Sequence, residues 1–180
     1  SATGQLWGNP LYRWDVMAER GFDWWLQRLR TTLDRFDAVR LDHFIAFRRY
    51  WEIPAGSADA RIGRFVQVPG EALFERVRGT LGGLPFIAED LGIVTPEVTA
   101  LRDLFGLPGM RVLQFAFGGG EPNDYQPHRY VRNTVVYTGT HDNDTTVGWH
   151  AGLPESERRH ARSYLGSNDA EFHWTMIRAG

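Results

Sequence analysis

Cysteine and lysine are both absent from this 180-residue chain. Without cysteine the chain can form no disulfide, no thiol nucleophile, no Cys-ligated zinc site and no iron–sulfur cluster. All 20 of its basic residues are arginine, which excludes a Schiff-base lysine and the lysine of a phosphate-binding loop. The chemistry open to the chain therefore depends on carboxylates, histidines, hydroxyls and arginines.

Net charge and long hydrophobic runs are also scarce. The formal net charge is −2, so the chain has no overall attraction for nucleic acid or for an anionic membrane. No apolar run approaches the roughly 20 residues of a membrane span, and no signal-peptide pattern opens the sequence. We therefore expect a cytoplasmic protein that acts on a small molecule, with neither nucleic acid nor a membrane as a partner.

Short apolar segments alternate with segments of helical periodicity along most of the chain. Apolar residues recur at spacings of three and four between residues 15 and 36, and Gly21 is expected to interrupt that helix. Strands are predicted at residues 37–44, 84–89, 110–117 and 133–144, and helices at about 15–36, 69–78, 95–105, 154–165 and from 169 onward. This alternation predicts an α/β fold with a parallel sheet covered by helices.

Three carboxylates follow predicted strands: Asp42, Glu89 and Asp142. The carboxyl ends of parallel strands form the edge where ligands bind in α/β proteins, so these three side chains can converge there. Convergent carboxylates suggest glycoside chemistry, in which one acid attacks the sugar or activates water and another protonates the leaving oxygen. From placement alone, strand-end caps or ion-paired residues are an equally good interpretation.

Arg40 stands two residues before Asp42, so alternation along a strand puts both side chains on one face. A guanidinium there would keep Asp42 ionised and oriented, as a nucleophile requires. A structural Arg–Asp pair is the competing interpretation. His141 beside Asp142, and His43 beside Asp42, lack the spacings of known metal-binding motifs, so we predict no metal site.

Aromatic residues are abundant, with 7 Trp, 6 Tyr and 11 Phe. Trp24 and Trp25 fall in a helical stripe, which predicts core packing. Trp7, Tyr12 and Trp14 lie in an opening segment with Gly and Pro, where an aromatic has less reason to be buried, so we expect ligand contact there.

Five motifs occur in order along the chain: GQLWGNPLYRW, VRLDHFIAFRRYWEIPAG, FIAEDLGIVTPEV, LPGMRVLQFAF and YTGTHDNDTTVGW. In this order they closely resemble the 4-α-glucanotransferases, known as amylomaltases or disproportionating enzymes, of the α-amylase clan. The resemblance implies a partial TIM (β/α)8 barrel, with the four predicted strands matching about strands 4 to 7 of the family's barrel. It also implies that residues 1–180 form a single, incomplete segment of a glycosidase-type catalytic domain. The oligomeric state stays open.

The resemblance also implies roles for single residues. Asp42 matches the family's nucleophile, with Arg40 as the arginine of the same motif, and Glu89 matches the general acid/base. Asp142 matches a transition-state-stabilising aspartate that grips sugar hydroxyls, with His141 beside it. The opening segment resembles a loop at the edge of the active site, which makes Trp7 an expected sugar contact. The implied substrates are α-1,4-glucan donors and acceptors such as maltodextrin, and no cofactor is implied.

A retaining double displacement follows from these roles. Glu89, kept protonated by a neighbouring carboxylate and partial burial, would protonate the glycosidic oxygen while Asp42 attacks, and would later deprotonate an acceptor hydroxyl. This mechanism predicts that the two carboxyl groups lie about 5 Å apart. The alternatives are a hydrolase or branching enzyme of the same clan, a non-catalytic glucan-binding fragment and, more remotely, a metal-dependent hydrolase.

Overall fold

The computed structural model describes residues 2–119, 122–168 and 170–180, which form a mixed α/β arrangement. The helices are α1 (Trp14–Glu19), α2 (Asp23–Leu33), α3 (Gly70–Leu81), α4 (Pro96–Leu104), α5 (Thr146–Gly152), α6 (Glu155–Leu165) and α7 (Phe172–Ala179). The strands are β1 (Val39–Leu41), β2 (Arg49–Glu52), β3 (Arg64–Gln67), β4 (Phe86–Ala88), β5 (Gly109–Val112) and β6 (Thr134–Tyr137). None of the helices in these ranges is long and apolar enough to cross a membrane.

The strands pair two by two. β1 and β4 are parallel, with Val39 opposite Phe86 and Leu41 opposite Ala88. β5 and β6 are also parallel, and β2 pairs with β3 in antiparallel fashion. The two parallel pairs confirm the expected parallel strands.

The chain divides into two compact units, Ser1–Pro108 and Gly109–Gly180. In the first unit, helices α2, α3 and α4 bury their apolar faces around β1 and β4. Phe44, Val77, Ala88 and Val98 are fully buried at its centre. This core fixes where the two parallel strands end, and therefore where the residues that follow them lie.

The second unit has its own core, built around α5, α6 and α7 and the segment after β5. Leu113, Ala161 and Met176 are fully buried there, and Phe117 and Phe172 are almost so.

Two helix boundaries agree with the sequence. The predicted interruption near Gly21 separates α1 from α2, because Gly21 and Phe22 both adopt a positive φ, which no right-handed helix can accommodate. Gly82 ends α3 in the left-handed conformation that only glycine adopts without strain.

The strand predictions were wrong in length and number. The segment 110–117 is a strand only as far as Val112, and Leu113–Ala116 form a 3₁₀ turn. A short, mostly apolar segment does not distinguish a strand from a buried turn. The run 133–144 likewise leaves its strand at Tyr137. Strands β2 and β3 were missed because each is only four residues long and its two apolar residues are adjacent, which gives no alternation. The last helix was expected from residue 169, which lies outside the described residues, and it begins at Phe172.

Candidate active site

The first unit brings two of the predicted carboxylates together at the ends of β1 and β4. Leu41 and Ala88 are paired in register, so Asp42 and Glu89 are the first residues beyond two adjacent parallel strands. Arg40 Nη1 lies 2.8 Å from Asp42 Oδ1, and Arg40 Nη2 lies 3.1 Å from Glu89 Oε2. One guanidinium therefore bridges both carboxyl groups. The contact between Arg40 and Asp42 agrees with the alternation along the strand, which puts both side chains on one face.

The turn after Asp42 adds a backbone donor to this site. His43 adopts a left-handed conformation with φ of 45°, and its N–H donates to Glu89 Oε2 over 2.6 Å. The Glu89 backbone is itself fixed, since its N–H donates to Leu41 O and its carbonyl accepts from the N–H of Phe44. This contact could not be predicted from the sequence, because it depends on a backbone conformation unusual for a residue other than glycine.

The two carboxyl groups have opposite electrostatic environments. Partial burial alone would raise the pKa of Asp42, but hydrogen bonds with Arg40 and Glu89, together with the positive charge of Arg40, hold that pKa below its ordinary value. The Asp42 side chain remains 74% exposed. This combination describes an ionised carboxylate that an incoming molecule can reach.

Glu89 is the more enclosed of the two, with its side chain 16% exposed. Burial raises its pKa, and the neighbouring Asp42 carboxylate raises it further, against the opposing effects of the His43 amide and Arg40. A carboxyl group of this kind holds its proton to higher pH and can donate it, while Asp42 stays ionised beside it.

A metal ion has little reason to sit between these carboxylates, because the Arg40 guanidinium already lies against both and would repel a second cation. Within the described parts of the chain, no group of three or more His, Asp or Glu side chains is placed to hold a metal.

Asp142 and His141 lie in the second unit, in the loop after β6. His141 Nε2 is 3.4 Å from Asp142 Oδ2, and both side chains are largely exposed. Asn143 closes the loop, since its Oδ1 accepts from the N–H and the hydroxyl of Thr140. The structure thus places His141 and Asp142 next to each other on a loop closed by hydrogen bonds. Their convergence with Asp42 and Glu89 stays a prediction.

A buried glutamine also holds the loop after β6. Gln114 follows β5, is 5% exposed, and donates its side-chain amide to the carbonyl of Asp144 over 2.9 Å. Gly139 leaves room for it, because a Cβ there would come within 2.7 Å of Gln114 Nε2. Gln114 was not predicted as a functional residue, because in the sequence it is one polar residue within a predicted strand.

The aromatic residues of the opening segment differ in their surroundings. Trp7 is 76% exposed. Tyr12 lies against Trp14, Trp24 and Trp25, with ring centroids 5.4–5.5 Å away, and its hydroxyl accepts from Arg28. Trp25 is core, as predicted, whereas Trp24 is 44% exposed and the prediction for it was wrong. Sugar contact by Trp7 and Tyr12 stays a prediction.

Asp90 follows Glu89 in the chain and was not identified from the sequence as a buried residue. It is 4% exposed and forms an ion pair with Arg102 of α4. Burial of an aspartate is rare unless it is paired, so the contact is a specific feature of this strand end.

Comparison with known proteins agrees with the resemblance. The family described as 4-alpha-glucanotransferase matches residues 1–180. A 4-alpha-glucanotransferase of Thermus thermophilus is 50% identical over 188 aligned positions, covering 100% of this chain and 38% of the relative. One from Synechocystis is 49% identical, covering 99% of this chain and 36% of the relative.

A solved structure gives the same result. The amylomaltase of Streptococcus agalactiae in complex with acarbose superposes with a TM-score of 0.93 at 37% identity, covering 98% of this chain and 36% of that one. The chain therefore spans little more than a third of the length of the proteins it resembles. Because the family match and these relatives cover essentially all of its residues, the chain belongs to the 4-alpha-glucanotransferase family.

Proposed function

We propose that the chain carries the nucleophile and the general acid/base of a 4-α-glucanotransferase that transfers segments of α-1,4-glucan to acceptor glucans or glucose. The observation that carries this proposal is the Arg40 bridge, which holds Asp42 and Glu89 together while their pKa values are displaced in opposite directions. One ionised and one protonated carboxyl group side by side are what a retaining glycoside reaction requires.

In the first step Asp42 attacks the anomeric carbon of the donor while the Glu89 carboxyl gives its proton to the departing glycosidic oxygen. A covalent glycosyl–aspartate forms, and the shortened glucan leaves. Loss of that proton leaves Glu89 as a carboxylate, steadied by the Arg40 guanidinium and the His43 amide. Glu89 then takes the proton of an acceptor hydroxyl, which displaces Asp42 and restores the α configuration.

The other predicted residues complete the proposal. Asp142, with His141 beside it, would grip sugar hydroxyls as the transition state develops. Trp7 and Tyr12 would offer aromatic faces to sugar rings, with α-1,4-glucan as both donor and acceptor. We also propose that residues 1–180 form a (β/α) barrel segment that covers about strands 4 to 7 within one catalytic domain. The same proposal includes a cytoplasmic location and a reaction without a cofactor.

The test is incubation of the purified chain with maltotriose, with folding verified by circular dichroism and thermal unfolding. Transfer predicts a ladder of longer glucans together with glucose, and Glu89→Gln should abolish both. Glu71→Gln, on an exposed residue in the first turn of α3, is the matched control and should retain them. Glucose and maltose without longer products would indicate a hydrolase instead.

The same samples separate catalysis from binding alone. Acarbose, the ligand of the similar amylomaltase, serves as the binding probe in calorimetry. A folded chain that binds acarbose or maltodextrin equally well before and after Asp42→Asn, and forms no product, would contradict the proposed activity for this chain and favour a glucan-binding segment.

A further inference from the structure

The backbone that carries Glu89 is anchored on its far side by a buried ion pair. Asp90 immediately follows Glu89, its side chain is 3% exposed, and its carboxylate contacts Nη1 of Arg102. Arg102 is 13% exposed and belongs to α4, whose Val98 and Leu101 are buried in the core of the first unit. The strand end is thus tied to a helix packed firmly in the same core.

Arg102 has further hydrogen bonds besides its contact with Asp90. Its Nε and Nη2 donate to the Asp103 carboxylate at 2.8 and 2.7 Å. The guanidinium therefore spans two carboxylates and is held in one orientation, which gives Asp90 a fixed partner.

Stability alone is a weak reason for such a pair. Removing two charges from water costs about as much as their attraction returns, so a buried ion pair adds little to the free energy of unfolding. It does specify position, because an aspartate and an arginine must meet in a narrow range of geometries to remain buried.

Position matters at this point in the chain. Glu89 contacts Arg40 at 3.1 Å and the His43 amide at 2.6 Å through the same oxygen, Oε2. A shift of about 1 Å in the strand end would lengthen both contacts and change how the acid presents its proton, and displacements of that size cost about a hundredfold in rate. On the strand side, backbone hydrogen bonds hold the strand end, among them those of Glu89 to Leu41 and Phe44.

We propose that Asp90, through its ion pair with Arg102, is a positioning residue that holds Glu89 in the geometry required for acid/base catalysis. The inference rests on the proposed function only in its prediction of a change in kcat. The charged and titratable groups on the Glu89 side of the strand end are Asp42, Arg40 and His43, and the position of Glu89 among them does not depend on turnover.

The test compares Asp90→Ala with Asp90→Asn. Both remove the same charge, but asparagine retains an oxygen that can accept from Arg102, whereas alanine does not. Arg102 keeps Asp103 in both variants, so neither leaves a buried cation alone. Any difference between the two variants therefore reports the anchor rather than the charge.

The first measurement is the pH titration of the Glu89 side-chain carboxyl by ¹³C NMR, with the signal assigned by its absence in Glu89→Gln. The anchor predicts that the pKa of Glu89 relaxes toward its ordinary value in Asp90→Ala and stays near the wild-type value in Asp90→Asn. The second is kinetics with maltotriose, where kcat should fall at least tenfold in Asp90→Ala, with KM within about twofold, and stay near wild type in Asp90→Asn. If Asp90→Ala does not fold, Asp90→Ser, too short to reach Arg102, replaces it.

Equal behaviour of the two variants, whether both retain the wild-type titration or both lose it, would overturn the inference. A wild-type chain that forms no product refutes the proposed function but leaves the NMR comparison decisive for the anchor. An active wild type whose Asp90→Ala variant matches Asp90→Asn refutes only the anchor.

Discussion

The backbone N–H of His43 donates to Oε2 of Glu89 over 2.6 Å, although the two residues are 46 positions apart in the sequence. The contact requires the chain to turn sharply immediately after Asp42, and His43 does so with a positive φ. An unusual backbone conformation is thus located between the proposed nucleophile and the proposed acid, where it contributes a donor that does not titrate.

Replacing His43 tests whether the left-handed turn is built into the fold. His43→Gly retains the N–H and accepts a φ of 45° freely, so we expect its free energy of unfolding to stay within about 1 kcal/mol of wild type. His43→Val places a β-branched side chain in a conformation it disfavours and should be about 1–2 kcal/mol less stable than His43→Gly. Urea unfolding of the three proteins measures both differences, and a valine variant as stable as the glycine variant would contradict the assigned turn.

Removing the Arg40 guanidinium should change the pH dependence of activity in a defined direction. Arg40 lowers the pKa of Asp42, so Arg40→Met should raise it. Because Asp42 must be ionised to attack, the acidic limb of the kcat/KM profile should move to higher pH, and the maximal rate should fall at least tenfold.

Arg61→Met is the control for that measurement, since Arg61 pairs with Asp59 at 2.6 Å on the segment between β2 and β3. It should leave the profile unchanged. An Arg40→Met profile that overlays wild type would show that Asp42 does not depend on the bridge.

Glu89→Gln should raise stability at neutral pH while abolishing activity. The pKa of Glu89 is higher in the folded protein than in the unfolded chain. The protonated carboxyl therefore favours folding below the pKa of the unfolded chain, and this contribution to stability is lost as the pH rises through the folded-state pKa. Glutamine resembles the protonated acid at every pH. We therefore expect a higher Tm than wild type at pH 7, with the gap closing below about pH 4, where unfolded glutamate is also protonated.

Differential scanning calorimetry of Glu89→Gln, Glu71→Gln and wild type between pH 3.5 and 8 provides the comparison. The exposed Glu71 in α3 should give no gain. A Glu89→Gln protein with wild-type Tm at every pH would mean that burial of this carboxyl is not costly.

Two glycines of α3 should respond oppositely to alanine. A Cβ on Gly70 would collide with the carbonyl oxygen of Phe47, so Gly70→Ala should destabilise the protein by about 1–3 kcal/mol. A Cβ on Gly79 meets nothing within 4 Å, so Gly79→Ala should stabilise the helix by about 0.5–1 kcal/mol. Thermal unfolding distinguishes these signs at roughly 2–4 °C per kcal/mol, and a shift in the same direction for both would contradict the packing of α3.

The site could be predicted where side-chain alternation determines it. Arg40 and Asp42 share a face because strand residues two apart must do so, and Glu89 follows an apolar strand whose parallel partner ends at the same level. The contact between Arg40 and Asp42, and the proximity of Glu89, follow from these rules.

What the sequence did not reveal depends on backbone conformation and on long-range partners. The turn at His43 could not be predicted because no glycine stands at that position. The burial of Asp90 depends on Arg102, which is 12 residues away on a helix. Gln114, in the 3₁₀ turn that follows β5, donates to the carbonyl of Asp144, a contact across 30 residues that local periodicity cannot express. Each of these features arises from tertiary packing.

The most direct test of the proposed roles is to trap the covalent intermediate. α-Maltosyl fluoride needs no acid to depart, so Glu89→Gln should form the glycosyl–enzyme quickly and release it slowly, since the general base is missing. Mass spectrometry of the quenched, digested protein should then find one maltosyl group on the peptide that contains Asp42, and none in Asp42→Asn. A maltosyl group on another residue, or fluoride release without any adduct, would contradict the assignment of Asp42 as nucleophile and Glu89 as its acid/base partner.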